Sequence, residues 1–163
     1  MPSVTIHDVA TFAPHAPTLS MEPNGWAVVK LPANFIASAE EHVITGTLLG
    51  LEARVRFTPV EYDFSYGDGA GLLSPSGGST WNTLQLGEFS DTATSHVYTT
   101  SGVYTASVEV VYEAEYQFDD SDWLPVSGSL SVETTTPLSI TAKTAKTVLV
   151  DRNCTQRTSG PGC

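Results

Sequence analysis

A run of alternating apolar and polar residues between Tyr104 and Phe118 constrains the fold of this chain more than any other feature. The even positions of the run carry Tyr, Ala, Val or Phe, whereas most odd positions carry Thr, Ser, Glu or Gln. Alternation with a period of two is typical of a strand that buries one face. Because strands usually have about 3–10 residues, we expect a bend or a short break in this long run near Tyr112.

Shorter alternating runs predict further strands, and no segment of useful length has a helical period. The apolar positions change phase at Pro59, which predicts a strand break or a β-bulge there. The only plausible helical turn falls at residues 34–42, and a loop is an equal alternative there. Several short strands at this spacing are typical of an antiparallel β-sandwich. The predicted strands lie at 26–31, 43–49, 51–57, 60–66, 104–118, 126–132, 138–142 and 147–150.

Length and charge restrict the class of protein. With 163 residues the chain has the length of one domain, since domains commonly have about 100–200 residues. It carries 18 acidic residues against 7 basic ones, for a formal net charge of −11. Nucleic acids and anionic membrane surfaces both require basic patches, so we expect neither as a partner. We interpret the charge as a source of solubility, with cation binding as the alternative. No run of about 18 apolar residues predicts a membrane helix.

The two ends of the chain differ from its middle. Residues 1–25 contain four prolines and no sustained periodicity, so we expect an extended N-terminal arm before a single domain at 26–150. The start lacks the features of a signal peptide, so a secreted protein with this sequence would already have lost its leader. We expect a disulfide between Cys154 and Cys163 in the tail 151–163, and therefore an oxidising compartment. Two free cytosolic thiols are the alternative.

Two segments resemble the signatures of PKD domains, the immunoglobulin-like modules named after the polycystic kidney disease protein. Residues 64–69 read F-S-Y-G-D-G and are similar to the family's W-D-F-G-D-G. Residues 96–110 are similar to its H-x-Y-x-x-x-G-x-Y-x-V-x-L-x-V run, through His96, Tyr98, Gly102 and Tyr104. The resemblance covers roughly residues 43–112. The tail also resembles the ends of uncharacterised secreted proteins of Gram-positive actinobacteria.

The resemblance implies an immunoglobulin-like antiparallel β-sandwich, here with extra flanking strands, that is secreted or displayed at a cell surface. PKD domains serve as spacers or as modules that bind proteins or glycans, so the resemblance implies that kind of partner without naming a ligand. This chain departs from the signature because Ser65 replaces the family's first Asp. Any role of that Asp is therefore lost.

The matched motif residues have structural interpretations. Gly67 and Gly69 permit positive φ in a tight turn, where Asp68 can accept hydrogen bonds from nearby amides. We expect Gly102 to provide a turn before the last core strand and Tyr104 to begin the buried face of that strand. We interpret His96 as a turn residue that hydrogen-bonds to backbone.

Two groups of side chains are candidates for ligand binding. Asp119, Asp120 and Asp122 could offer oxygen ligands to calcium, but the Gly and the distant Glu of an EF-hand are missing, so a solvated turn is the alternative. Trp81 and Trp123 flank loops and could stack on sugar rings. The more common use of such a Trp is to anchor a loop on the core.

No arrangement of residues in the sequence predicts catalysis. The chain has no G-x-S-x-G motif, and neither Cys has a neighbouring His. We therefore expect a non-catalytic extracellular module that spaces, adheres or binds, without a cofactor. One alternative is a lectin-like domain, with or without the assistance of calcium, which an exposed row of Trp81 and Trp123 would favour. The other is a subunit of a surface assembly, which an arm without contacts to its own domain would favour.

Overall fold

The computed structural model describes residues 3–145, and almost all of its regular structure is β. One short helix precedes eleven strands in this part of the chain. The elements are α1 (Ile6–Ala10), β1 (Thr18–Glu22), β2 (Trp26–Val28), β3 (Pro32–Ser38), β4 (His42–Leu48), β5 (Leu51–Ser65), β6 (Gly71–Ser74), β7 (Ser95–Val97), β8 (Gly102–Phe118), β9 (Leu124–Pro125), β10 (Leu130–Glu133) and β11 (Leu138–Lys143).

The strands form two sheets in a sandwich-like arrangement, so the predicted all-β fold is confirmed. The smaller sheet has the order β1-β3-β7. The larger sheet has the order β2-β11-β8-β5-β4, with β6 paired to β5 and with β9 and β10 paired to β8. The described strand pairs are antiparallel except for the parallel pair β2 and β11.

The two longest strands, β5 and β8, pair with each other near the centre of the larger sheet. They pair from Ala53 opposite Phe118 to Ser65 opposite Ser107, with a register shift between Pro59 and Glu61. The bulge predicted from the change of phase at Pro59 is therefore confirmed. Strand β8 itself runs from Gly102 to Phe118 without the break that was one of the two expectations near Tyr112. The irregularity lies in β5 instead, since Pro59 is the residue paired with Tyr112.

A single core fills the space between the layers. Both sheets contribute alternate side chains to it, and the even positions of β8 from Ala106 to Ala114 are buried there. Tyr104, which was expected to begin this buried face, is only partly buried against the cluster. The most deeply buried members of the larger sheet include Val55, Phe57, Phe64, Val108, Val110, Tyr112 and Ile140, and those of the smaller sheet include Ala33 and Phe35.

Part of the segment predicted as an extended arm has regular structure and packs on the domain. Helix α1 begins with a capping box, in which the Thr5 side chain accepts from the Asp8 amide and the Asp8 carboxylate accepts from the Thr5 amide. Val9 is fully buried in the common core. Strand β1 pairs with β3 along its whole length. The described part of residues 1–25 thus shares the core of the domain.

Other local predictions differ from the structure or lie outside it. The helical turn expected at residues 34–42 was wrong, because most of that segment belongs to β3, which pairs on both sides with β1 and β7. The strand expected at 26–31 ends at Val28. The strand expected at 147–150 and the disulfide expected between Cys154 and Cys163 lie outside the described residues. No helix within the described residues is long and apolar enough to cross a bilayer.

Candidate functional site

The two segments that resemble PKD signatures meet at one end of the sandwich. Asp68 accepts a hydrogen bond from the Ala70 amide at 3.1 Å, as expected for this turn. Its other oxygen lies 2.7 Å from Nε2 of His96, which is in β7. His96 therefore bonds to a carboxylate from the other segment, and the prediction of a backbone partner was wrong. Burial raises the pKa of Asp68, but the bonds from His96 and the Ala70 amide outweigh it and hold the pKa below its usual value.

An aromatic stack joins this turn to the core. The Tyr66 and His96 rings are parallel with centroids 4.3 Å apart, and the Tyr98 and Tyr104 rings are stacked at 4.6 Å. The Tyr98 hydroxyl donates to the Tyr66 carbonyl at 2.7 Å. Burial raises the pKa of Tyr66 to about 12 and raises the pKa of Tyr98 further. The Tyr66 and Tyr98 hydroxyls both donate to backbone carbonyls, so we assign the aromatic stack a structural role.

The aspartates proposed for calcium are not assembled into a site. Asp119, Asp120 and Asp122 are exposed in the turn after β8. Among residues 3–145, no three His, Cys, Asp or Glu side chains converge as a group that could hold a metal ion.

The two tryptophans proposed for ligand binding have different surroundings. Trp81 is only 5 % exposed, and its indole N–H donates to the Ser90 carbonyl at 3.0 Å. Trp123 lies over β5, with the Arg56 guanidinium 4.4 Å from its ring centroid and that of Arg54 at 5.5 Å. The exposed row of two tryptophans that would have favoured a lectin is therefore not present. Each Trp anchors a different loop.

The main surface groove of the described chain lies beside Trp81 and has an aromatic wall. The groove has a volume of about 610 Å³ and is bordered by the end of β1, the start of β2 and the loop at 79–92. Phe89 is central to the wall, with its ring centroid 6.3 Å from that of Trp26 and 5.8 Å from that of Trp81. Trp26 is 38 % exposed, so its ring is accessible from solvent. Met21 and Leu86 add aliphatic surface to the same wall.

The polar lining of the groove consists of carboxylates and amides. Glu22 and Glu88 provide the acids, and Asn24 and Asn82 provide side chains that can both donate and accept. Among residues 3–145, no Lys, Arg or His lines the groove. The groove therefore presents aromatic and aliphatic surface, hydrogen-bonding amides and negative charge.

A partly buried hydrogen-bond network fixes the loop that forms the aromatic wall. One oxygen of Glu22 accepts from the Asn34 side-chain amide and from the Trp81 backbone amide, both at 2.8 Å. Asn34 is fully buried in β3 and also donates to the Ser79 carbonyl at 2.8 Å. Its oxygen accepts from the Thr92 hydroxyl at 2.7 Å. Both ends of the loop at 79–92 are thus tied to β1 and β3, which makes the groove preformed.

The second oxygen of Glu22 has no hydrogen bond to any of the described residues. Glu22 lines the groove, so this oxygen is available to a donor on a ligand. A carboxylate whose position is set by two amide donors and whose other oxygen is free is well suited to orient a hydroxyl group.

Most groove residues were missed by reasoning from sequence. Trp26 was assigned to a strand, and Leu86 and Phe89 were not singled out, although their loop was among the connections expected to carry recognition. The sequence did carry one signal, which is the presence of large apolar side chains in a loop rich in Gly, Ser and Thr. In the structure, two of these side chains, Leu84 and Leu86, are each 43 % exposed. Large apolar residues on a connection are more informative than those on a strand, because connections often carry recognition.

Comparisons with known proteins do not assign the chain to a family. No protein-family model matches the sequence, and no curated protein matches it.

Proposed function

We propose that this protein is a non-catalytic extracellular interaction module that binds neutral glycans in the groove formed by Trp26, Trp81 and Phe89. The observation that carries the proposal is the combination of an accessible aromatic wall with amide and carboxylate side chains in a preformed groove. Aromatic faces pack against the C–H surface of a sugar ring, and amides and carboxylates can bond its hydroxyl groups.

The charge of the groove determines which glycans fit. Glu22 and Glu88 line it without a basic residue, and the whole chain carries a formal net charge of −11. A sugar with a carboxylate or a sulfate would enter against like charge and could find no cationic partner in the lining. Neutral hexoses and N-acetylhexosamines avoid this cost. The proposed specificity is therefore for neutral glycans over acidic ones.

The extracellular location and the PKD-like character belong to the same proposal. They are supported by the sandwich fold and by the placement of the signature residues, since Gly67, Asp68, His96 and Tyr98 lie together at one turn. The alternative of a surface assembly built through a free N-terminal arm receives less support, because Val9 and β1 pack on their own domain.

A glycan array tests the proposal. The protein should bind neutral glycans and leave acidic analogues unbound, and Trp26→Ala should weaken binding at least about tenfold, as expected for loss of an aromatic anchor. Trp123→Ala is the matched control, because Trp123 lies over Arg56 and away from the groove. It should bind as the unmodified protein does. An array without binding, or equal losses in the two variants, would disprove the proposed function.

A further inference from the structure

His15 and His42 form an unusual contact where the N-terminal segment, residues 3–17, meets the larger sheet. Their imidazole rings are parallel within 1°, with centroids 4.0 Å apart. His15 follows α1, and His42 is the first residue of β4. The Tyr112 hydroxyl of β8 donates to the His15 carbonyl at 2.8 Å. Backbone and ring of His15 are therefore both held against the sheet.

The hydrogen-bond partners of His42 assign its protonation state. Nδ1 lies 2.8 Å from the Glu40 carbonyl, which can only accept, so Nδ1 carries a proton. Nε2 accepts from the His15 backbone amide at 3.1 Å, so Nε2 carries none. The network thus requires a neutral His42 with its proton on Nδ1.

Protonation of His42 would break this contact. A proton on Nε2 would point at the His15 amide, placing one donor against another and removing that hydrogen bond. If His15 were protonated as well, two parallel cationic rings would lie 4.0 Å apart. Imidazoles change charge between about pH 5 and pH 8, so the change falls in a range that proteins meet outside and inside cells.

The segment held by this contact covers part of the core. Val9 is fully buried and Phe12 is 8 % exposed. The Phe12 ring lies on Gly46 of β4, so closely that a Cβ there would come within 2.9 Å of it. Loosening residues 3–17 would therefore uncover apolar surface at the β4 edge of the larger sheet.

We propose that the His15–His42 pair is a proton-sensitive latch, which holds the N-terminal segment on the sheet at neutral pH and releases it in acid. The other titratable groups beside the pair are Glu40, Glu41 and Tyr112. The Glu40 and Glu41 carboxylates are exposed in the turn before β4, and the Glu41 carboxylate accepts from the Thr58 hydroxyl at 3.2 Å. Burial raises the pKa of Tyr112, so its hydroxyl stays neutral throughout the range.

Nuclear magnetic resonance of the unmodified protein tests the assignment first. Long-range ¹H–¹⁵N spectra at pH 8 should show His42 with a protonated Nδ1 and an unprotonated Nε2. Between pH 8 and pH 5, protection of the His15 amide against hydrogen exchange, corrected for intrinsic rates, should fall roughly 2–12-fold, the range expected for loss of one hydrogen bond. A proton on Nε2 at pH 8, or unchanged protection at pH 5, would overturn the latch.

Two substitutions test whether the acid response comes from His42 or from another histidine. His42→Gln retains an acceptor near the position of Nε2 but cannot titrate, so the acid-induced loss of protection should disappear. His7→Gln is the matched control, because His7 is exposed on α1 and the acid response should stay intact. A full acid response in His42→Gln would also overturn the proposal. If His42→Gln fails to fold, the measurements on the unmodified protein decide alone.

Discussion

Gly67 and Gly69 show how the same backbone conformation can serve different purposes at two neighbouring residues. Both have left-handed backbone, with φ of +90° and +91°. A Cβ on Gly67 would collide with the backbone of Thr105 in β8, whereas a Cβ on Gly69 would meet nothing within 4 Å. The first glycine is therefore needed for both conformation and close approach, and the second for conformation only.

This difference gives a paired prediction for stability. Gly69→Ala should lower the free energy of unfolding by about 1–2 kcal/mol, the cost of left-handed backbone for a residue with a Cβ. Gly67→Ala should cost about 1–3 kcal/mol more, because the turn must also move away from Thr105. Urea denaturation of both variants measures the difference. Equal losses of unfolding free energy in the two variants would show that Gly67 does not lie in close contact with β8.

The buried tyrosines predict how stability changes in alkaline solution. Burial raises the pKa of Tyr66 to about 12 and also raises that of Tyr98, whereas an unfolded tyrosine ionises near pH 10. A raised pKa in the folded state gives stability that is fully present below about pH 10 and is lost as the pH rises towards 12. The midpoint of urea denaturation should therefore fall steadily above pH 10.

Tyrosinate absorbance recorded over the same range provides the check. The chain has six tyrosines, and the buried ones should ionise late and together with unfolding. Ionisation of all six near pH 10 while the fold stays intact would contradict the description of the aromatic stack. Tyr66→Phe should be less stable at pH 7, because the hydroxyl no longer donates to the Thr94 carbonyl, but its loss of stability above pH 10 should be smaller.

At the scale of elements, α1 depends on the core for its stability. A five-residue helix cannot persist alone, because nucleating a helix costs more than a few hydrogen bonds return. Its capping box and the fully buried Val9 hold it in place. Val9→Ala should therefore lower the free energy of unfolding by about 1–3 kcal/mol, as for other truncated core side chains.

Val103→Ala is the matched control for this prediction. Val103 is 70 % exposed on β8, so the same truncation should change stability by no more than about 0.5 kcal/mol. Thermal denaturation of the two variants makes the comparison. A negligible effect of Val9→Ala would show that the N-terminal segment contributes little to the fold.

The elements that could be predicted from sequence are those in which pattern alone determines structure. The alternation in β8 and the change of phase at Pro59 in β5 are local, and both matched the structure. Strand β3 was missed because its pairing with β1 and β7 overrides a weak local helical preference. Helix α1 was missed because only a T-x-x-D capping pattern at Thr5 and Asp8 marked it.

At the scale of the whole molecule, the groove could not be predicted because distant segments form it. The groove brings together Glu22 in β1, Trp26 in β2 and Phe89 in the loop at 79–92. These residues lie close together because hydrogen bonds from Asn34 and Trp81 to Glu22 hold that loop against β1. The sequence did indicate aromatic recognition on loops and did name Trp81. The prediction grouped Trp81 and Trp123 as one ligand-binding pair because both flank loops. In the structure, Trp123 lies instead beside Arg56.

The most direct test of the account follows the indole N–H signals of the three tryptophans during a titration with a neutral oligosaccharide identified on the array. The indole of Trp26 should shift as ligand is added, because its ring is accessible in the groove. The indole of Trp123 should not move. A titration in which Trp123 shifts and Trp26 does not, or in which neither shifts at saturating ligand, would contradict the claim that this groove binds the glycan.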